Sequence, residues 1–183
     1  SSLYKSTDGG KDWDRVNGVN FSGDSNFGQC GYYKNNGKVY MMATQTGRDG
    51  MPYLARFNEK DIEDTGKYEF WNGFGWVTGK ENAATPLFND KVGELSFSYM
   101  PELKKWVLLY FNGTRYEISM RYADNVEGPW SEPVQVASGR DWPQLYGSFI
   151  HPLSKKGTTL YFIMSMWLPY NTYLMSIDLK ASK

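Results

Sequence analysis

One histidine, one cysteine and no net charge are what this 183-residue chain has least of. Cys30 alone supports no disulfide framework, and with His151 as the sole imidazole there is no clustered Cys/His set for a metal. No metal and no cofactor are therefore expected. Lys and Arg total 20, Asp and Glu total 20, and no basic stripe is visible, which argues against nucleic acid as a partner. No apolar run approaches the ~20 residues of a membrane-crossing helix. The best candidate, TTLYFIMSMWLPY, is short and is broken at Pro169.

Aromatic residues are abundant instead: 7 Trp, 14 Tyr and 10 Phe, 17% of the chain. Flat side chains pack well on pleated sheets and also stack against flat ligands such as sugars. Nineteen Gly and 8 Pro fit a protein with many turns. The apolar fraction of 40% is enough for a core.

Three segments read alike: GQCGYYKNNGKVYMMATQTGRDGMPYLARF, GELSFSYMPELKKWVLLYFNGTRYEISMRY and GSFIHPLSKKGTTLYFIMSMWLPYNTYLMSI. Each has Gly and a polar residue, a short strand, a turn, a strongly apolar strand, a loop and another strand. Two continue into a fourth strand, KYEFWNG and WSEPVQVAS. Such recurrence predicts an all-β fold, a β-propeller rather than a β-sandwich. The expected units are the outer half of one blade at 1–20, blades at 27–75 and 92–137, and a last blade at 146–180. About three blades of a five-bladed propeller are then present, in one N-terminally incomplete domain. STDGGKDW (Ser6 to Trp13) resembles the Asp-box of sialidase-like propellers, a structural turn in which Asp8 binds backbone donors and Trp13 packs into the sheet.

The repeat also sorts residues by face. The starts of the first strands give Gln29, Glu94 and Ser148, each preceded by glycine, and innermost strands line the central channel. These three are expected to converge on one mouth. Glu94 is the conspicuous one, since a buried carboxylate needs a partner and no cation is adjacent in sequence. The loops on the same face bring Arg48, Asp49, Asn112, Arg115, Trp167, Tyr170 and Asn171. The connections between blades add Trp71, Trp76, Arg140, Asp141, Trp142 and Tyr146. Carboxylates, amides, arginines and aromatics gathered on one rim suit a polysaccharide or oligosaccharide. His151 reads as a core or supporting residue rather than a general base. Trp106 and Trp130 read as packing residues, and Asp49 reads equally as a turn residue. Asn112-Gly113-Thr114 matches a glycosylation sequon, a weak pattern.

Taken in order, VGELSFSY, KKWVLLYFN, SMRYADNVEGPWSEP, YGSFIHP and SMWLPYNTYLM resemble the C-terminal part of a bacterial propeller family, the domain of unknown function 4185. The resemblance covers roughly residues 28–179. It implies kinship with endo-D-arabinanases and five-bladed furanosidases, which place an acidic triad at the channel mouth. Implied with it are a glycoside hydrolase acting on cell-wall or plant-type furanosides such as arabinan, a secreted, cell-surface or periplasmic location, and a monomer. By this resemblance Glu94 would be the acid/base, its pKa raised by burial and neighbouring carboxylates. Arg48-Asp49 would match an Arg-Asp motif, with Asp49 as a second catalytic residue that stabilises charge or orients the sugar, and the first-blade acid has no counterpart. Substrate would be held by Gln29, Arg48, Ser148, Trp167, Asn171, Tyr146, Asp141, Trp142 and His151. The alternative is a non-catalytic carbohydrate-binding or surface propeller.

Overall fold

Period-two alternation in which both faces of a strand are apolar builds the layers of this protein. The computed structural model describes residues 1–152 and 157–180, and in these fourteen strands form four antiparallel sheets. β1 (Ser2–Lys5) and β2 (Asp14–Asn20) pair alone. β3 (Gln29–Asn35), β4 (Lys38–Thr44), β5 (Tyr53–Asn58), β6 (Glu69–Trp71) and β7 (Trp76–Thr78) form a five-stranded meander. A four-stranded meander follows, of β8 (Leu95–Met100), β9 (Lys105–Asn112), β10 (Glu117–Ala123) and β11 (Val134–Ser138). β12 (Leu145–Ile150), β13 (Thr159–Met166) and β14 (Asn171–Asp178) complete the set.

Neighbouring sheets stack face to face, and each middle strand feeds two cores. On β4, Met41 and Ala43 face one apolar cluster with Phe27, Phe57 and Phe70, while Met42 faces another. On β9, Leu108 and Tyr110 join Met42 and Leu54 in that second cluster. Val107, Leu109 and Phe111 point the other way, against Leu160, Phe162 and Met164 of β13. Each fully buried side chain of this kind contributes about 1.5–3 kcal/mol of transfer free energy. The inner strands β3, β8 and β12 lie side by side. Gly31 abuts Leu95 and Ser96, and the Ile150 amide donates to Ser96 Oγ at 2.8 Å. This is an all-β propeller architecture, with meandering sheets as blades.

Two features depart from the sequence reading. WNGFGW, read as a connection between blades, instead makes the hairpin that adds β7. Asn72 Oδ1 accepts from the Phe74 and Gly75 amides, and Gly73 takes a left-handed φ of 89°, so Asn-Gly behaves as a hairpin turn. Trp13 does not pack into the sheet. It is 61% exposed, with its indole N–H on the Gly10 carbonyl. The turn expectation for Asp8 fits what is seen: it accepts from the Lys11 and Asp12 amides at 3.0 and 3.1 Å. The lysine-rich turn of the third repeat falls on 153–156, outside the described residues.

Candidate functional site

Glu94 has a cation after all. Arg48, in the loop between β4 and β5, reaches it with Nη2 at 2.6 Å from Oε1 and Nε at 3.2 Å from both carboxylate oxygens. The guanidinium lies 4.8 Å from the Phe111 ring centroid and 6.0 Å from that of Tyr146. Gly93 makes this crossing possible. A Cβ there would stand 3.1 Å from Arg48 Cγ and 3.1 Å from the Phe111 carbonyl oxygen. Gly93→Ala is expected to unseat Arg48 and to cost about 1–3 kcal/mol, read as a lower urea midpoint.

This pair does little for stability. The Arg48 and Glu94 side chains are 46% and 36% exposed, and such pairs contribute at most about 1 kcal/mol. The environment expected for Glu94 is also absent. It is only partly covered, and its partner is a guanidinium rather than another carboxylate. The expectation failed because Arg48, distant in sequence, comes across from the adjacent sheet.

Beside the pair opens a cleft of about 500 Å³, lined by Arg48, Phe111, Tyr116, Gln144, Tyr146 and Trp167, with Leu145 and Tyr170. Trp167 and Tyr170 stand at its rim, 62% and 86% exposed. Tyr116 is wedged into place. Its ring meets Phe111 edge-on at 6.3 Å, and a Cβ on Gly139 would fall 2.2 Å from it. The cleft has the size and aromatic lining of a small-molecule site.

The remaining expected residues divide. Gln29 and Ser148 hold the same place on β3 and β12 as Glu94 does just ahead of β8, two residues before Gly31, Ile150 and Ser96. Gln29 Nε2 and Ser148 Oγ are buried with no hydrogen-bond partner, as is Thr44 Oγ1 on β4. Asp49 points to solvent, 84% exposed, and binds Lys91 Nζ at 2.8 Å; it does not line the cleft. Trp142 packs against the core beside Tyr173, and Trp71 and Trp76 likewise pack on a core cluster. Asp141 is exposed in the turn before β12, and Asn171, also exposed, begins β14 beyond the cleft wall. His151 belongs to a different hollow, with Tyr32, Phe97 and Phe149 at the far end of the inner strands.

Asn112 and Arg115 do not reach the rim either. They turn inward onto Asp90, a residue the sequence reading passed over. Asp90 accepts from Arg115 Nη1 and Nη2 at 3.1 and 2.8 Å, from Asn112 Nδ2 at 2.9 Å, from Tyr110 Oη at 2.6 Å and from Arg121 Nη2 at 3.2 Å. Asn112 is 1% exposed with its amide occupied, so its sequon offers no accessible nitrogen in the folded chain. This network ties the segment before β8 to β9 and β10. Among the described residues no group of three or more His, Cys, Asp or Glu is placed to hold a metal ion. No helix there is long and apolar enough to cross a membrane.

Comparison with known proteins agrees with this picture of the fold. The notoamide biosynthesis cluster protein J of Aspergillus sp. (strain MF297-2) is 38% identical over 101 residues, 53% of this chain and 26% of that protein. An uncharacterized 35.9 kDa protein in the asd 3' region of Mycolicibacterium smegmatis is 32% identical over 148 residues, 72% of this chain and 43% of that one. Among solved structures, the α-L-arabinofuranosidase PaAbf62A of Podospora anserina, in complex with cellotriose, superimposes with a TM-score of 0.56 at 12% identity. That match covers 97% of this chain and 50% of the arabinofuranosidase, and at such identity it speaks for the fold alone. The chain thus spans half or less of the length of these relatives. A family model matches residues 1–176, and the chain belongs to the family described as Domain of unknown function (DUF4185).

Proposed function

We propose that this chain is the saccharide-holding side of a five-bladed, glycoside-hydrolase-like propeller that cleaves a furanoside polysaccharide, arabinan being the proposed substrate. The observation that carries the reading is the Arg48–Glu94 pair set against an aromatic cleft: a carboxylate that stability does not require, beside rings suited to sugar faces. The likeness in fold to an α-L-arabinofuranosidase supports it. In this reading Glu94 protonates the glycosidic oxygen as general acid. Gln29 and Ser148, whose buried polar atoms lack protein partners, meet sugar hydroxyls at the same level.

Both Glu94 oxygens are engaged by Arg48, so the pair must open as sugar enters, with Arg48 turning to the ligand. A second acid must come from outside these residues, because among the described residues no carboxylate lines the cleft itself and Glu94 stands beside it, held by Arg48. That absence favours a second reading, a carbohydrate-binding propeller without catalysis. Incubating the full-length protein with arabinan separates the two. Release of reducing ends is the expected result; binding without release supports the second reading, and neither binding nor release removes both.

A further inference from the structure

Among the described residues five non-glycine residues have left-handed backbones, and three of them, Tyr116, Gln144 and Tyr170, line the one cleft. The other two, Asn36 and Lys104, sit in the short turns between first and second strands. A bulky residue in this region is strained, and such strain persists where surrounding structure enforces it, often at ligand sites. Tyr116 and Tyr170 are equivalents in the repeat, each the last residue before the third strand of its sheet.

Gln144 lies between the two loops. Its amide donates to Tyr116 Oη, and its carbonyl accepts from the Trp167 amide at 3.0 Å. The backbone is thus pinned on both sides with φ of 66°. Gln144 lines the cleft, and its side-chain oxygen Oε1 is buried at the cleft wall with no hydrogen-bond partner. An unpaired buried acceptor is costly, and a ligand donor that meets it recovers that cost. The rings beside it cover apolar C–H faces, while Arg48, the charged side chain in the same lining, is engaged by Glu94.

We propose that Gln144 is the specificity-determining residue of this cleft: Oε1 accepts a hydrogen bond from a sugar hydroxyl while Tyr116 and Tyr170 form the jaws around the ring. This rests on the saccharide reading above and adds which hydroxyl acceptor selects the sugar. Tyr170, at 86% exposed, supports no core, so its side chain is kept for what enters the cleft.

The test is isothermal titration of the full-length protein with arabinotriose, alongside thermal unfolding. Gln144→Met keeps the length and removes the acceptor; Gln144→Asn is at home in the left-handed region but withdraws the carbonyl by one methylene. Each is expected to weaken binding about ten-fold or more, with Tm unchanged or raised because an unpaired acceptor is gone or re-solvated. Tyr170→Asn is expected to weaken binding about five-fold with no loss of Tm. Unchanged affinity in both Gln144 variants overturns this assignment while leaving the saccharide reading intact. No binding of arabinotriose by the unaltered protein overturns both.

Discussion

Replacing Asp90 with alanine is expected to lower the free energy of unfolding by about 3–5 kcal/mol, the cost of leaving a buried cation without its anion. Arg121 is only 6% exposed, and Asp90 and Tyr110 meet it on the core side of the sheet. Arg115 would keep Glu117, whose Oε1 accepts from its Nε at 2.8 Å, but among the described residues Arg121 would keep no carboxylate. The same network sets an acid limit. Burial pushes the Asp90 carboxyl up, but hydrogen bonds from Arg115, Tyr110 and Arg121 outweigh it and bring the pKa from 3.8 to about 2. A folded-state pKa below the unfolded one stabilises the fold above the unfolded value. That stabilisation, about 2 kcal/mol, is lost as pH falls from about 4 to 2. Urea unfolding at pH 7 and pH 3 checks both statements. A loss under 1 kcal/mol on truncation would mean that the arginines find water instead.

Glu94→Gln is expected to do the reverse: little to the fold and much to turnover. The amide keeps the shape and removes a partly exposed ion pair, so unfolding should shift by about 1 kcal/mol or less. Loss of a general acid reduces glycan cleavage by about 10²–10⁴-fold. Initial rates of reducing-end release by full-length protein, with urea midpoints as control, measure the two effects separately. A large loss of stability with unchanged cleavage would make the Arg48–Glu94 pair structural.

The propeller was legible because its physics repeats. A glycine and polar start, a turn, and a strand apolar on both faces recur three times, and stacked sheets need that pattern. Glu94 stood out for a local reason, a carboxylate at the mouth of an apolar strand. Its partner did not, because Arg48 reaches it from another sheet and contact across sheets leaves no mark in local spacing. Asp90 was hidden in FNDK, which reads as loop; only the fold brings Arg115 and Arg121 around it. Tyr116 and Gln144 were missed for a conformational reason. Left-handed backbone is signalled by Gly or Asn, and a tyrosine or glutamine there is forced by surroundings that sequence does not display. Trp142, Trp71 and Trp76 were over-read, since an aromatic in a connecting loop can face inward as readily as outward. The one weak cue to Tyr116 was Gly139, whose lack of a side chain leaves room for the ring.

The measurement that bears most directly on the central claim is the distance from Glu94 to the scissile oxygen in a crystal structure of the full-length protein with an uncleaved arabinofuranose oligosaccharide. The account expects the sugar in the cleft between Tyr116 and Trp167, Arg48 turned from Glu94 to the ligand, and a Glu94 oxygen about 2.6–3.2 Å from the glycosidic oxygen. A saccharide seated in the hollow around His151, or in the cleft with Glu94 still gripped by Arg48 and out of reach of the glycosidic bond, would contradict it.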